Sequence, residues 1–261
     1  MIDRLYEHLV QCGRGLPARE LVEQVLERMQ TVPGGSPELA ELTTVYRIEL
    51  DTLRGNLPGA IEHLTAFVGK GNPRAAQYAF GVIARRAQER EDRAAVASLC
   101  MAVLSKPDAP EGIRKAAVAT YCGDATDAGH SAKYPGRIAK LIEAGVPAPV
   151  ILARFARDFR GVISSAEEDV VRAMLDTAQR LEQQVDAPKD KDTCLGLVLD
   201  AHTTLEDYKS AIAMVDQGFR KEDAEWQAVM VPKLRAHLAL AEDRTEEAIG
   251  YFREFMRAAA A

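Results

Sequence analysis

A five-position apolar pattern recurs along this chain, and it constrains the fold more than any other feature. Ala60-Ile61, Leu64 and Phe67-Val68 form one copy. Ala95-Val96, Leu99 and Ala102-Val103 form another, followed by Ala211-Ile212, Val215 and Gly218-Phe219, and by Ala248-Ile249, Phe252 and Phe255-Met256. The spacing i, i+1, i+4, i+7, i+8 gathers all five side chains on one stripe of an α-helix. The small residue that opens each stripe suits a close helix–helix crossing. Looser copies are Leu21-Val22, Val25, Met29; Ile138-Ala139, Ile142, Gly145-Val146; and Val170-Val171, Met174, Ala178. The seven stripes begin at 21, 60, 95, 138, 170, 211 and 248, in steps of 39, 35, 43, 32, 41 and 37 residues. Each step is about the length of one helix–turn–helix repeat.

A partner helix is expected before each stripe. Leu39, Leu42, Tyr46, Leu50 and Leu53 keep helical spacing throughout, as do Leu152, Phe155, Phe159 and Val229, Leu234, Leu238. Turn chemistry separates the partners. Gly55 suits a helix C-terminus and Pro58 a first helical turn, while Asp207 and the Asp243-Arg244-Thr245 segment offer N-caps. Gly69-Lys70-Gly71-Asn72 lacks the glycine spacing and preceding strand of a phosphate-binding loop, and reads as a helix cap with an inter-repeat turn. No stretch has the period of a strand.

Arg54-Gly55-Asn56-Leu57-x-x-Ala60-Ile61-x-x-Leu64, ending near Pro73, resembles the turn and second helix of a tetratricopeptide repeat. Glu206-Asp207-Tyr208-x-x-Ala211-Ile212 and Asp243 through Phe252 resemble it too. The aromatic and Leu-Gly signature of the family's first helix is mostly absent. The resemblance implies an all-α fold: an α-solenoid of about seven antiparallel helical pairs in a right-handed superhelix, irregular in the middle. It implies one domain over 1–261, with subarrays 1–122 and 134–261 separated by an irregular loop at 123–133. The acidic, lysine-containing segment from Asp186 to Asp192 reads as a second linker.

Composition narrows the function. The net charge of −6 disfavours nucleic acid, which is held chiefly by basic surface. No apolar stretch approaches the ~18 residues of a membrane span. Asp3, Arg4, Glu7 and His8 interrupt the N-terminus, so it lacks the apolar segment of a secretory signal, and a cytoplasmic location is expected. Cys12, Cys100, Cys122 and Cys194 lie far apart with no Cys-x-x-Cys pair, and read as small buried hydrophobes. No metal, cofactor or catalytic residue is expected. The alternative is an enzyme or small-ligand sensor built on Cys122, Asp124, Asp127 and His130, where a thiol near an imidazole or a carboxylate–imidazole set could act. Turn and capping preferences explain those residues equally well. A nucleic-acid-binding helical repeat is a second alternative.

The expected function is a non-catalytic scaffold or adaptor that binds a peptide or helix of a partner protein in a concave groove. In the family resembled, first-helix residues facing away from the core line that groove, which makes Glu49, Gln77, Asp200, His202, Lys233 and His237 candidates. Arg154 and Arg157, with Arg160, form a guanidinium stripe suited to an acidic peptide. The basic clamp that some family members use for acidic C-terminal tails has no consistent counterpart. Trp226 reads as a core plug between repeats. The apolar stripe of Phe252, Phe255 and Met256 predicts self-association through the C-terminal face.

Overall fold

The computed structural model describes residues 19–31, 36–123 and 130–260. They form thirteen α-helices: α1 (Arg19–Gln30), α2 (Pro37–Arg54), α3 (Leu57–Phe67), α4 (Pro73–Glu89), α5 (Arg93–Leu104), α6 (Glu111–Cys122), α7 (Tyr134–Glu143), α8 (Ala148–Ile163), α9 (Glu168–Glu182), α10 (Pro188–Thr204), α11 (Tyr208–Asp216), α12 (Ala224–Ala241) and α13 (Thr245–Ala260). No strand occurs among the described residues, and the fold is all-α. None of these helices is long and apolar enough to cross a membrane. The seven stripes of the sequence fall on seven alternate helices, α1, α3, α5, α7, α9, α11 and α13. Asp186–Asp192 is not a free linker: Pro188 begins α10, so Lys189 to Asp192 form its first turn.

The helix starts are written in the sequence. Ser36, Asn56, Asn72, Asp92, Asp207 and Asp223 each accept a hydrogen bond from a backbone N–H of the first turn. Each such cap contributes about 1 kcal/mol by satisfying a donor with no intrahelical partner. Pro37, Pro58, Pro73 and Pro188 occupy first turns, where their missing N–H costs nothing.

The turn from first to second helix repeats one geometry four times. Gly55, Glu91, Glu206 and Asp243 all have positive φ, between 50 and 80°. At each, the next residue donates its N–H to the carbonyl five positions back: Asn56 to Asp51, Asp92 to Ala87, Asp207 to His202 and Arg244 to Ala239, all at 2.8–2.9 Å. The positive-φ residue itself bonds three back, which completes a Schellman cap. One turn therefore launches α3, α5, α11 and α13.

The helices group into two compact units. One takes Met1–Gly123 with Leu141–Ile151, and the other takes Asp124–Lys140 with Leu152–Ala261. The division therefore passes not only beside Gly123 but also through α7 and α8.

In the first unit, every helix from α1 to α5 packs on its successor, α2 packs on α4, α4 on α6, and α3 on α5. The stripe of α3 is sealed: Ala60 and Leu64 have no exposed surface, and Phe67 and Val68 are buried. Ala75, Ala76, Ala79, Ala84 and Ala87 line the inner faces of α4 and let four neighbouring helices approach it closely. In the second unit, α9 to α13 pack each on the next. Leu199, Ala211, Val215, Phe219 and Leu234 form a core there, with Tyr208 and Trp226 against it. Trp226 meets Phe219 edge-on at 5.4 Å and packs half-buried against this core, rather than fully inside it.

Candidate functional site

The expected groove residues divide sharply by what already holds them. In the second unit, Arg154 on α8 donates from Nε to Asp158, one turn ahead. Asp158 is buried and also accepts from the hydroxyl of the fully buried Tyr134, at 3.1 Å. Tyr134 stacks on Phe155, whose ring meets Phe159 edge-on at 5.3 Å. Asp158 thus ties α7 to α8, and the Arg154 beside it is 15% exposed. Arg157 is 70% exposed and reaches Asp158 only at 3.8 Å. Arg160 donates to Asp200 at 2.9 Å and so links α8 to α10. Of the stripe, Arg154 is turned inward, while Arg157 and Arg160 are 70% and 82% exposed.

The two histidines are connectors as well. His202 is 12% exposed, and its Nδ1 lies 3.1 Å from the carboxylate of Asp207, the N-cap of α11. The hydrogen bond from Ser210 holds the Asp207 carboxyl below its ordinary range, with His202 adding to the effect. His237 stacks on Tyr208 at 5.2 Å and meets Phe252 edge-on at 5.5 Å, so its ring is wedged between α11 and α13. Lys233 is half-buried on α12. Gln77 is exposed on α4, and its Oε1 lies beside Gly112 at the start of α6.

Glu49 on α2 stands apart. It is 8% exposed, and its Oε2 is enclosed without a hydrogen-bond partner. Burial pushes its carboxyl above the ordinary range. Tyr46, one turn earlier, packs toward Val22, Leu26 and Leu50. Tyr78, on the adjoining α4, is half-buried; burial first and the Glu49 charge second push its phenol up to about 12. Neither tyrosine was singled out as a site residue from the sequence. The readable signal was a glutamate inside the apolar series Leu42, Val45, Tyr46, Leu50, Leu53.

Two concavities accompany these residues. A cleft of about 390 Å³ between α2 and α3 is walled by Thr44, Arg47, His63, Phe67 and Lys70, with His63 held 3.0 Å from Asp51. An open hollow of about 790 Å³ follows the charged turn Gly218–Glu225, where Arg220 lies over the rings of Phe219 and Trp226.

The alternative site of Cys122, Asp124, Asp127 and His130 falls partly outside the described residues, which exclude both aspartates. Cys122 is fully buried on α6, as are Cys100 and Cys194 on their helices. Burial raises the Cys100 thiol to about 12 and the Cys194 thiol to about 11, so these two stay protonated and poorly nucleophilic at neutral pH. Cys12 lies outside the described residues. Among the described residues no group of three or more His, Cys, Asp or Glu could hold a metal ion. Comparison of the chain with protein-family models, curated proteins and solved structures finds no match.

Proposed function

We propose that the chain is a non-catalytic protein-interaction scaffold of the tetratricopeptide-like solenoid class, working in the cytoplasm and binding a peptide or helix of another protein. The observation that carries this reading is the packing of the first unit. First helices α2, α4 and α6 lie side by side, second helices α3 and α5 do the same, and one Schellman turn joins partners in both units. A helical pair cannot bury its stripe alone, so stacking of pairs builds a continuous core and an extended first-helix surface. Such a surface suits an elongated ligand, because shallow contacts add along its length.

The test is affinity capture on the full chain, followed by cross-linking and mass spectrometry. The expected result is one enriched protein cross-linked to α2, α4 or α6, with capture lost when exposed first-helix positions such as Gln77 and Arg85 are changed to residues of opposite character. Enrichment of no protein, or cross-links confined to the outer surface of the second helices, overturns the reading.

A further inference from the structure

A glutamate buried beside apolar neighbours is expensive. Its carboxylate offers about four lone-pair sites, and a buried polar group left unsatisfied forfeits the solvation it had in water. Among the described residues the other buried carboxylate is satisfied: Asp158 takes Tyr134 and Arg154. Glu49, equally buried, has an enclosed oxygen with nothing on it. It sits on α2 where that helix meets α4, between the buried Ile48 and Leu50, with two half-buried tyrosines nearby: Tyr46 a turn away and Tyr78 across the helix pair. Arg85, the one cation that acts on Tyr78, is exposed, and no ion pair joins it to Glu49 among the described residues.

We propose that Glu49, flanked by Tyr46 and Tyr78, is the anchor point for a cationic side chain, lysine or arginine, presented by the protein partner. This rests on the scaffold reading and deepens it by assigning the partner a basic chemistry. A cation supplies the missing hydrogen-bond donor and charge in one group, and tyrosine rings favour ammonium and guanidinium neighbours. The balance of charge points the same way. The chain carries a net −6, and of the three stripe arginines Arg154 and Arg160 already have carboxylate partners in Asp158 and Asp200.

The probes are butylammonium and butylguanidinium, which reproduce the lysine and arginine side chains, with butanol as the neutral control. Each is titrated into the full chain while the Glu49 carboxyl and the tyrosine rings are followed by NMR. Saturable binding is expected for the two cations and not for butanol, weakened about tenfold or more in Glu49→Gln. Burial holds free Glu49 protonated to a higher pH than an ordinary glutamate, and only the ionised form recruits a cation. Affinity therefore rises with pH through the Glu49 titration, and saturation lowers the Glu49 pKa. Tyr78, the titrating group across the helix pair, has its phenol pushed up to about 12 and so ionises well above this range.

Cation affinity unchanged in Glu49→Gln, butanol binding equal to that of butylammonium, or a Glu49 titration unmoved by saturating cation each overturns the proposal. The last readout uses the unaltered chain and does not depend on how the variant folds. A captured protein partner indifferent to Glu49→Gln removes the anchor and leaves the scaffold. Cation binding at Glu49 with no partner protein keeps the cation site and removes the scaffold.

Discussion

Asp158 and Glu49 show how one buried group, the carboxyl, takes opposite roles through its neighbours. Asp158 is a satisfied buried carboxylate, and removing it takes away the acceptor shared by the Arg154 guanidinium and the buried Tyr134 hydroxyl. Asp158→Ala is expected to cost about 3–5 kcal/mol in urea unfolding, the usual penalty for breaking one side of a buried pair. Arg157→Ala is expected to stay within about 0.5 kcal/mol, because that side chain is mostly in solvent and at long range. Comparable losses from the two variants would show that the pair is not where the stability resides. The sequence displayed Arg154, Arg157 and Arg160 as a single stripe, and the i, i+4 relation of Arg154 to Asp158 was visible in it. What it could not display was Tyr134 arriving from the preceding helix, or Asp200 reaching Arg160 from forty residues further on. Those two contacts draw Arg154 into a buried network and give the exposed Arg160 a partner on α10. Glu49 was legible as a first-helix residue, but its enclosure depends on how α4 crosses α2.

At the scale of the element, second helices were far easier to read than first helices. A second helix such as α3 buries one continuous stripe, so its periodicity survives in the sequence. α4 instead buries seven of its residues, most of them alanines, to accommodate several neighbours, and α10 opens on the charged run Pro188-Lys189-Asp190-Lys191-Asp192. Neither gives a clean stripe. The turns carry a further signal. Glu91, Glu206 and Asp243 occupy the left-handed position that Gly55 fills without a Cβ penalty. Changing each of the three to glycine is expected to raise stability by about 0.5–1 kcal/mol, and Gly55→Ala to lower it by about 1 kcal/mol, measured by urea titration. Loss of stability in all three glycine variants would mean that these turns are not the shared motif. The last helix adds a second expectation. On α13 only Ala248 of the stripe is buried, while Ile249 is 46% and Met256 is 64% exposed, although the matching stripe of α3 is sealed by the helices packed on it. An isologous contact between two copies of α13 is expected to cover this face. Sedimentation should show concentration-dependent association of the parent chain and a monomer for Ile249→Glu with Met256→Glu. A parent chain that remains monomeric at high concentration would reject that contact.

For the whole molecule, the decisive question is whether stability is shared globally or passed from neighbour to neighbour. In the first unit the main helix contacts among the described residues are with the successor and the helix after next, and in the second the packing runs from α9 through α13 in order. Stability in such an arrangement is a sum of local repeat and interface contributions, so a local lesion should stay local. Leu64 tests this directly: it lies on α3 with no exposed surface, inside the sealed stripe. Leu64→Ala leaves a cavity among α2, α3, α4 and α5 and is expected to cost about 2–5 kcal/mol there. Hydrogen exchange followed residue by residue should then show faster opening of α2 to α5, with α10 to α12 keeping the protection of the parent chain. A single globular core would behave otherwise, because every strongly protected amide exchanges through the same global unfolding and all would accelerate together. Uniform acceleration across α2 to α12 would therefore argue against a solenoid, and with it against the extended first-helix surface on which a partner is proposed to lie. Acceleration confined to α2–α5 would establish the one-dimensional order that sequence periodicity can suggest but, lacking any record of which helices touch, cannot demonstrate.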